Sequence, residues 1–380
     1  MPVGLAAFIA SWRLVPERRR AAEAKVDFGG IALSALALFS LTLALIQGNG
    51  WGWSSARVIA LFVVASVGVV VFVVWEIRAE SPMLDLRLFR IRSFAASNAA
   101  FLLIGVAMMG SVFLLVIFMV NVMGYSELRA GIAITPMPLT GLILAPIVGR
   151  VTDRIGPRLP AALGAAGFGV GLLMLARLDA SAGLGDIAWR VVILGVGMGF
   201  SMPSFMAAGM GSLPDEHAGV GSGAINTARQ LGFVLGVAVL VAVFSHTMTT
   251  ALTDANAQAK LIVAGEASLA APMKSRIIQG LDQATTAAAQ GGATSGGGMM
   301  EPLSDLPQPT PGTPQANRLR ALKTTIGGIY RGKIGGAFAL PFYVASVTAF
   351  LMLIPATMTG RRLGAHQGAH EGRRATSFIA

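Results

Sequence analysis

Gly149-Arg150-Val151-Thr152-Asp153-Arg154-Ile155-Gly156-Pro157-Arg158 is a basic, glycine-bounded turn set between two long apolar runs, 131–148 and 159–176. Neither run contains a charge, and each approaches the roughly 20 apolar residues that carry an α-helix across a bilayer. Turn and runs together read as a membrane-spanning helical hairpin. Asp153 can accept backbone N–H bonds or lie against the start of the following helix, where negative charge is favoured. Gly149 and Gly156 allow close approach and positive φ in a tight turn. Arg154 and Arg158 stay at the membrane surface, within reach of Asp153 or of anionic lipid.

Working outward, further charge-free apolar runs occupy 29–46, 58–75, 94–121, 191–210, 231–245 and 336–358. The run at 231–245 is short and reaches spanning length if its helix starts near Asn226. None alternates apolar and polar residues, as a membrane β-strand would. Residues 1–12 form a shorter apolar stretch with its arginines after it, whereas a secretory signal carries them before. That stretch reads as the last part of a further helix. The expected fold is therefore an all-α integral membrane protein with eight full transmembrane helices plus a partial N-terminal one.

Composition agrees. Of 380 residues 54% are hydrophobic and 12% charged, with a mean hydropathy of +0.69. A soluble domain carries about 25% charged residues, so an ordinary soluble enzyme or a disordered chain is excluded. Without cysteine there is no disulfide framework or thiol nucleophile, and four histidines leave little metal chemistry. No P-loop, no H-E-x-x-H and no nucleophile elbow occurs, so the chain is not expected to be an enzyme, to hold a metal or to need a cofactor.

The net charge of +11 is a record of orientation rather than of nucleic-acid binding. Alternate loops carry Arg13, Arg18, Arg19, Arg20 and Lys25, then Arg78, Arg87, Arg90 and Arg92, then Arg150, Arg154 and Arg158, then Arg229, and finally Arg361, Arg362, Arg373 and Arg374. The opposite short loops hold only Arg57, Arg129, Arg177 and Arg190. The richer side is expected to be cytoplasmic, which gives a multi-pass protein of the cell (inner) membrane with a cytoplasmic C-terminus.

Six segments follow. Residues 1–25 are a helix remnant and basic loop, 26–92 a helix pair with its cytoplasmic loop, and 93–245 the main bundle. Residues 246–335 form a long extracytoplasmic loop, 336–358 the last span and 359–380 a basic tail. Within the loop, the Gly-, Ser-, Thr- and Pro-rich part at 290–314 is expected to be disordered. The Ala-rich flanks at 248–289 and 317–330 read as amphipathic helices on the outer surface.

The 149–158 turn resembles the inter-helix loop motif of the major facilitator superfamily. Two more stretches resemble its fourteen-helix drug:proton antiporters. One runs from Gly124-Tyr125-Ser126 through Thr135-Pro136-Met137-Pro138 to Ala145-Pro146. The other is Leu213-Pro214-Asp215-Glu216-His217-Ala218-Gly219-Val220-Gly221-Ser222-Gly223, followed by Asn226-Thr227-Ala228-Arg229-Gln230-Leu231-Gly232. Met1-Pro2-Val3-Gly4-Leu5 is similar to the start of that family's sixth helix. The resemblance covers nearly the whole chain but only the C-terminal half of the family, so the chain looks truncated at its N-terminus. It implies secondary-active, proton-coupled export of drugs or other hydrophobic or cationic compounds by alternating access. The 149–158 turn, with Gly149, Asp153, Arg154, Gly156 and Arg158, would brace the cytoplasmic gate. The alternative is a non-transporting membrane fragment, or a half-transporter that needs a partner half.

Candidate site residues follow from side-chain chemistry. Ser97 and Asn98 lie one turn from Phe101, and Met202 and Phe205 share another span; these are the substrate-cavity candidates, with helix–helix packing as the alternative for each. Pro136, Pro138 and Pro203 permit helix bending. Glu76, Arg177 and Arg190 read as groups at helix ends. No ionisable residue is expected in the middle of a span, so protons are partners only with the absent N-terminal half present. The remaining partners are membrane lipid and a small hydrophobic or cationic substrate, with no nucleic acid.

Overall fold

Helices begin where the sequence supplies a cap. The computed structural model describes residues 4–5, 27–79, 82–179, 182–266, 269–290 and 314–360. In it Asp27 caps α1 (Phe28–Trp51), its carboxylate accepting the Gly30 N–H at 2.8 Å. Ser55 caps α2 (Ala56–Arg78) through the Val58 N–H. A short 3-10 turn, Leu86–Arg90, leads into α3 (Arg92–Ile117), which continues as a π-helical turn over Phe118–Val122. The expected helix remnant at 1–25, most of the stretch at 290–314 and the tail from 361 fall outside the described residues, Gly4 and Leu5 aside.

The next span is broken. Ser126 caps α4 (Glu127–Ile134), Thr135 ends it, and Pro136 opens α5 (Pro136–Ile155). Proline suits a first helical position because its missing N–H would be unpaired there anyway. Then come α6 (Arg158–Leu175), α7 (Leu184–Met210) and α8 (Ala218–Gly265). The chain closes with α9 (Ala271–Gln290), α10 (Pro314–Ala337), α11 (Ala339–Leu351) and α12 (Leu353–Met358). Among the described residues, eight stretches are long and apolar enough to cross a membrane. The chain is a multi-pass, all-helical membrane protein.

Small residues set the packing, because lipid gives apolar helices no hydrophobic reason to associate and close backbone contact must supply the attraction. Gly232 and Gly236 of α8 sit against the carbonyls of Leu102 and Val106 on α3, so a Cβ at either would collide with backbone. Gly197 of α7 lies as closely on the Phe168 backbone of α6. A buried Ser346 hydroxyl of α11 donates to the Gly169 carbonyl of α6 at 2.8 Å. Phe338, at the α10–α11 junction, packs on Phe118 and Phe244 with ring centroids 5.1 and 4.4 Å away. By contrast α1 and α2 pair mainly with each other, and Val63, Val67, Val70 and Val74 stand exposed, as suits lipid-facing side chains.

One element departs from the sequence reading. Hydropathy ends the seventh span at Ser245, yet α8 runs without a break to Gly265, about 30 Å further at 1.5 Å per residue. Beyond the span it packs with α9 and α10 around Leu252, Ala255, Ala259, Val263, Ile277, Leu281, Ile326 and Tyr330, all buried. Polar staples hold the three together. Asp282 accepts from Asn256 at 2.8 Å and pairs with Lys260 at 2.5 Å. Thr285 meets the Tyr330 hydroxyl at 3.3 Å. The described part of 246–335 is thus a helical extension with its own core rather than helices laid singly on a surface.

Candidate functional site

The 149–158 turn is built from the end of α5 and the start of α6. Gly156 caps α5 with φ 85°, a left-handed conformation that favours glycine, and its N–H donates to the Thr152 carbonyl at 2.9 Å. Gly149 lies inside α5 with open space around it and takes no part in the turn. Asp153 is an exposed residue in the last turn of α5 and does not start the next helix; Pro157 stands at that position. None of the ion pairs among the described residues joins Asp153 to Arg154 or Arg158. What anchors the turn is a residue that the sequence reading passed over. Thr152 is fully buried, and its hydroxyl lies 3.2 Å from that of Ser204 on α7.

The five cavity candidates fall in the interface between the start of α3 and the end of α7. Ser97, Phe101 and Phe205 are fully buried, Asn98 nearly so, and Met202 partly. Asn98 donates to the Phe94 carbonyl of its own helix at 3.0 Å, and Ser93 donates across to the Ala208 carbonyl at 2.9 Å. Ser97 packs on Gly209. These side chains fill a closed helix contact. A concavity in the bundle lies further along α3 and contains none of them: Met108, Ser111, Leu115, Met137, Phe168 and Val191 are among its lining residues. Ser111 is the polar group there, with a buried hydroxyl that has no partner among the described residues.

The prolines differ in setting. Pro136 marks a real interruption, where Thr135 donates its hydroxyl to the Gly131 carbonyl at 2.9 Å, and Pro138 follows in the first turn of α5. Pro203 sits within α7, which stays helical through it.

A second polar cluster joins α1 to α2. Trp75 donates its indole N–H to the Asp27 carboxylate at 3.0 and 3.2 Å. The bonds from Gly30 and Trp75 hold Asp27 below the usual aspartate range. Glu76 is 4% exposed and accepts the Leu84 N–H at 3.2 Å. It is a buried clamp on the following loop rather than a surface group at a helix end.

Arg229 also differs from its reading. It is not in a loop but well inside α8, where it donates to the Asn226 side chain at 2.7 Å. The face of α8 carrying Gly221, Ile225, Gly232 and Gly236 is buried, while Ser222, Gly223, Asn226, Thr227 and Gln230 are exposed. Beyond α7, Leu139, Leu142, Ile143 and Ile147 of α5 stand exposed as well. Among the described residues no cluster of His, Asp or Glu offers a metal site.

Comparison with known proteins bears on this architecture. Residues 1–237 match the model of the Major Facilitator Superfamily. The chain is 31% identical to the tetracenomycin C resistance and export protein of Streptomyces glaucescens, over 71% of this chain and 51% of that protein. It is 31% identical to the multidrug resistance protein Stp of Mycobacterium tuberculosis, over 66% of this chain and 47% of that one. It is 32% identical to a tetracycline resistance determinant of Streptomyces rimosus, over 60% and 67%. The chain spans about half the length of the first two. With a family model matching most of its length and a membrane bundle in place, this chain belongs to the Major Facilitator Superfamily, a family of transporters and not of enzymes.

Proposed function

We propose that this chain is part of a secondary-active exporter of small hydrophobic compounds, working by alternating access in the cell (inner) membrane. The observation that carries the reading is its relatives: proteins named for resistance to, or export of, tetracenomycin, tetracycline and multiple drugs share its sequence. The resemblance to fourteen-helix drug:proton antiporters makes α1 and α2 the extra helix pair.

In this reading the chain works with a complementary half. The exposed polar face of α8 supports that view, because polar side chains along a span are normally turned to protein or water. The 149–158 turn, tied to α7 through Thr152 and Ser204, braces the cytoplasmic gate. The break at Thr135-Pro136 supplies bending when the bundle rocks. Proton coupling belongs to the partner half, since among the described residues no carboxylate lies in the middle of a span. The same absence removes the counter-charge that a purely cationic substrate class would need.

Two measurements test this. Cells making the chain alone and together with a complementary six-helix half are loaded with a fluorescent dye. Gradient-dependent efflux is expected from the pair only, and no efflux from either would overturn the reading. The expected orientation, with the C-terminus cytoplasmic, is tested in the naturally cysteine-free chain. Asp153→Cys should label only from inside and Leu261→Cys only from outside; the reverse pattern inverts the model.

A further inference from the structure

Arg229 is eleven residues into α8, about 16 Å along the axis from Ala218. Its backbone carbonyl lies against Gly105 of α3, itself thirteen residues, or about 20 Å, from the start of that helix at Arg92. Both measures place the Arg229 backbone inside the span, one turn beyond Ile225, which is level with Gly209 near the end of α7. The other charged side chains described in the spans lie near a helix end or in the extension beyond Ser245. Arg190, the next deepest, is two turns from the start of α7 and is paired with Asp186 at 3.7 Å.

Among the described residues Arg229 has no such counter-ion. One terminal nitrogen donates to the neutral Asn226 side chain, and the Phe233 ring lies 5.9 Å away. Its Nε–H is sealed from solvent and donates to nothing among the described residues. Snorkelling alone does not account for the sealed Nε–H, because a snorkelling guanidinium turns its donors to water. The Arg229 backbone lies on the α3-facing side of α8 with Ile225, Gly232 and Gly236, while its terminal nitrogen reaches out to Asn226 at the exposed rim.

We propose that Arg229, with Asn226 and Gln230, forms an anion-accepting subsite for the carboxylate, phenolate or enolate end of an aromatic amphiphile, Phe233 lying alongside its apolar body. A guanidinium presents fixed parallel donors that fit such an oxygen pair, and charge-assisted bonds of this kind strengthen where water is excluded. The choice of an exported compound as the ligand rests on the efflux reading above.

The test uses the full chain in phosphatidylcholine nanodiscs, with empty discs subtracted. Saturable binding of 2-naphthoate is compared with that of its trimethylammonium analogue, which shares the ring and inverts the charge. Arg229→Gln should weaken naphthoate binding about tenfold or more and leave the cation unchanged, while Arg229→Lys restores part of the affinity. Helical circular dichroism and monodispersity identify any variant that has lost its fold. Equal naphthoate binding by wild type and folded Arg229→Gln would overturn the proposal, as would a loss shared equally by the cation. Elimination of naphthoate binding when phosphatidylglycerol replaces part of the lipid would assign the guanidinium to lipid phosphate and overturn the substrate role. Binding is read without transport. A chain that binds naphthoate through Arg229 but gives no export even with its complementary half therefore overturns the efflux reading alone.

Discussion

Thr152 of α5 and Ser204 of α7 meet hydroxyl to hydroxyl at 3.2 Å, both fully buried, one turn before the chain reverses at Gly156. Either can donate, so the pair satisfies itself without water. Thr152→Val keeps the shape and leaves the Ser204 hydroxyl without this partner. The expected cost is about 1 kcal/mol, the scale of an interhelical hydrogen bond in a membrane protein. Adding Ser204→Ala should recover part of it, since removing both partners costs less than stranding one. Denaturant titration of the two single variants and the double reads this coupling, and strict additivity would mean that the bond contributes nothing.

The α3–α8 contact offers a matched pair of glycines. Gly232 lies on the Leu102 carbonyl, whereas Gly223, nine residues earlier on the same helix, has nothing within 4 Å of where a Cβ would stand. Gly232→Ala should force the helices apart and cost about 1–3 kcal/mol, the usual range for overpacking. Gly223→Ala should be neutral or stabilise by up to about 1 kcal/mol, because it lowers backbone entropy at an open helical site. Thermal stability in detergent checks both. Equal effects would mean that the close contact is not made.

These two sites also show what hydropathy can reveal. The eight spans were legible because charge-free runs have no other way to hide their backbone in lipid. Thr152 was not, since nothing local separates a buried threonine from a polar turn residue; its partner is 52 positions away. Arg229 reads as a loop residue because a charge is taken to end a span, whereas α8 starts eleven residues before it at Ala218. The extension escaped for the opposite reason. Its alanines at 255 and 259 are weakly apolar and gain meaning only once α9 and α10 are seen to cover them. The cavity candidates were chosen by side-chain type, which cannot distinguish a residue that lines a space from one that fills it.

Asp27 gives a pH dependence with a definite sign. Its bonds from Gly30 and Trp75 depress its pKa below the ordinary value of 3.8 in the folded chain. The stability it contributes is therefore fully present above the unfolded value and is lost as pH falls through the lower, folded one. The difference in melting temperature between wild type and Asp27→Ala should stay constant from pH 8 to about 5 and shrink below about 3.8. A gap that widens on acidification would contradict the α1–α2 latch.

The extension is expected to fail on its own before the bundle does. Ile326 is fully buried among α8, α9 and α10, and Ile→Ala changes in such positions cost about 2–5 kcal/mol. The core there is small, with alanines forming much of the α8 stripe, so a loss of that size exceeds what three short helix contacts can absorb. The bundle has independent contacts through α3, α6, α7 and α11 and should remain folded. Limited proteolysis of the reconstituted chain reads the difference. In Ile326→Ala new cleavages should appear within 246–265 and 271–290 while the α3–α7 fragments stay intact. Wild-type-like protection of those segments would show that Ile326 is not part of a cooperative core. New cleavage spreading into 92–210 would show that the extension and the bundle unfold as one unit.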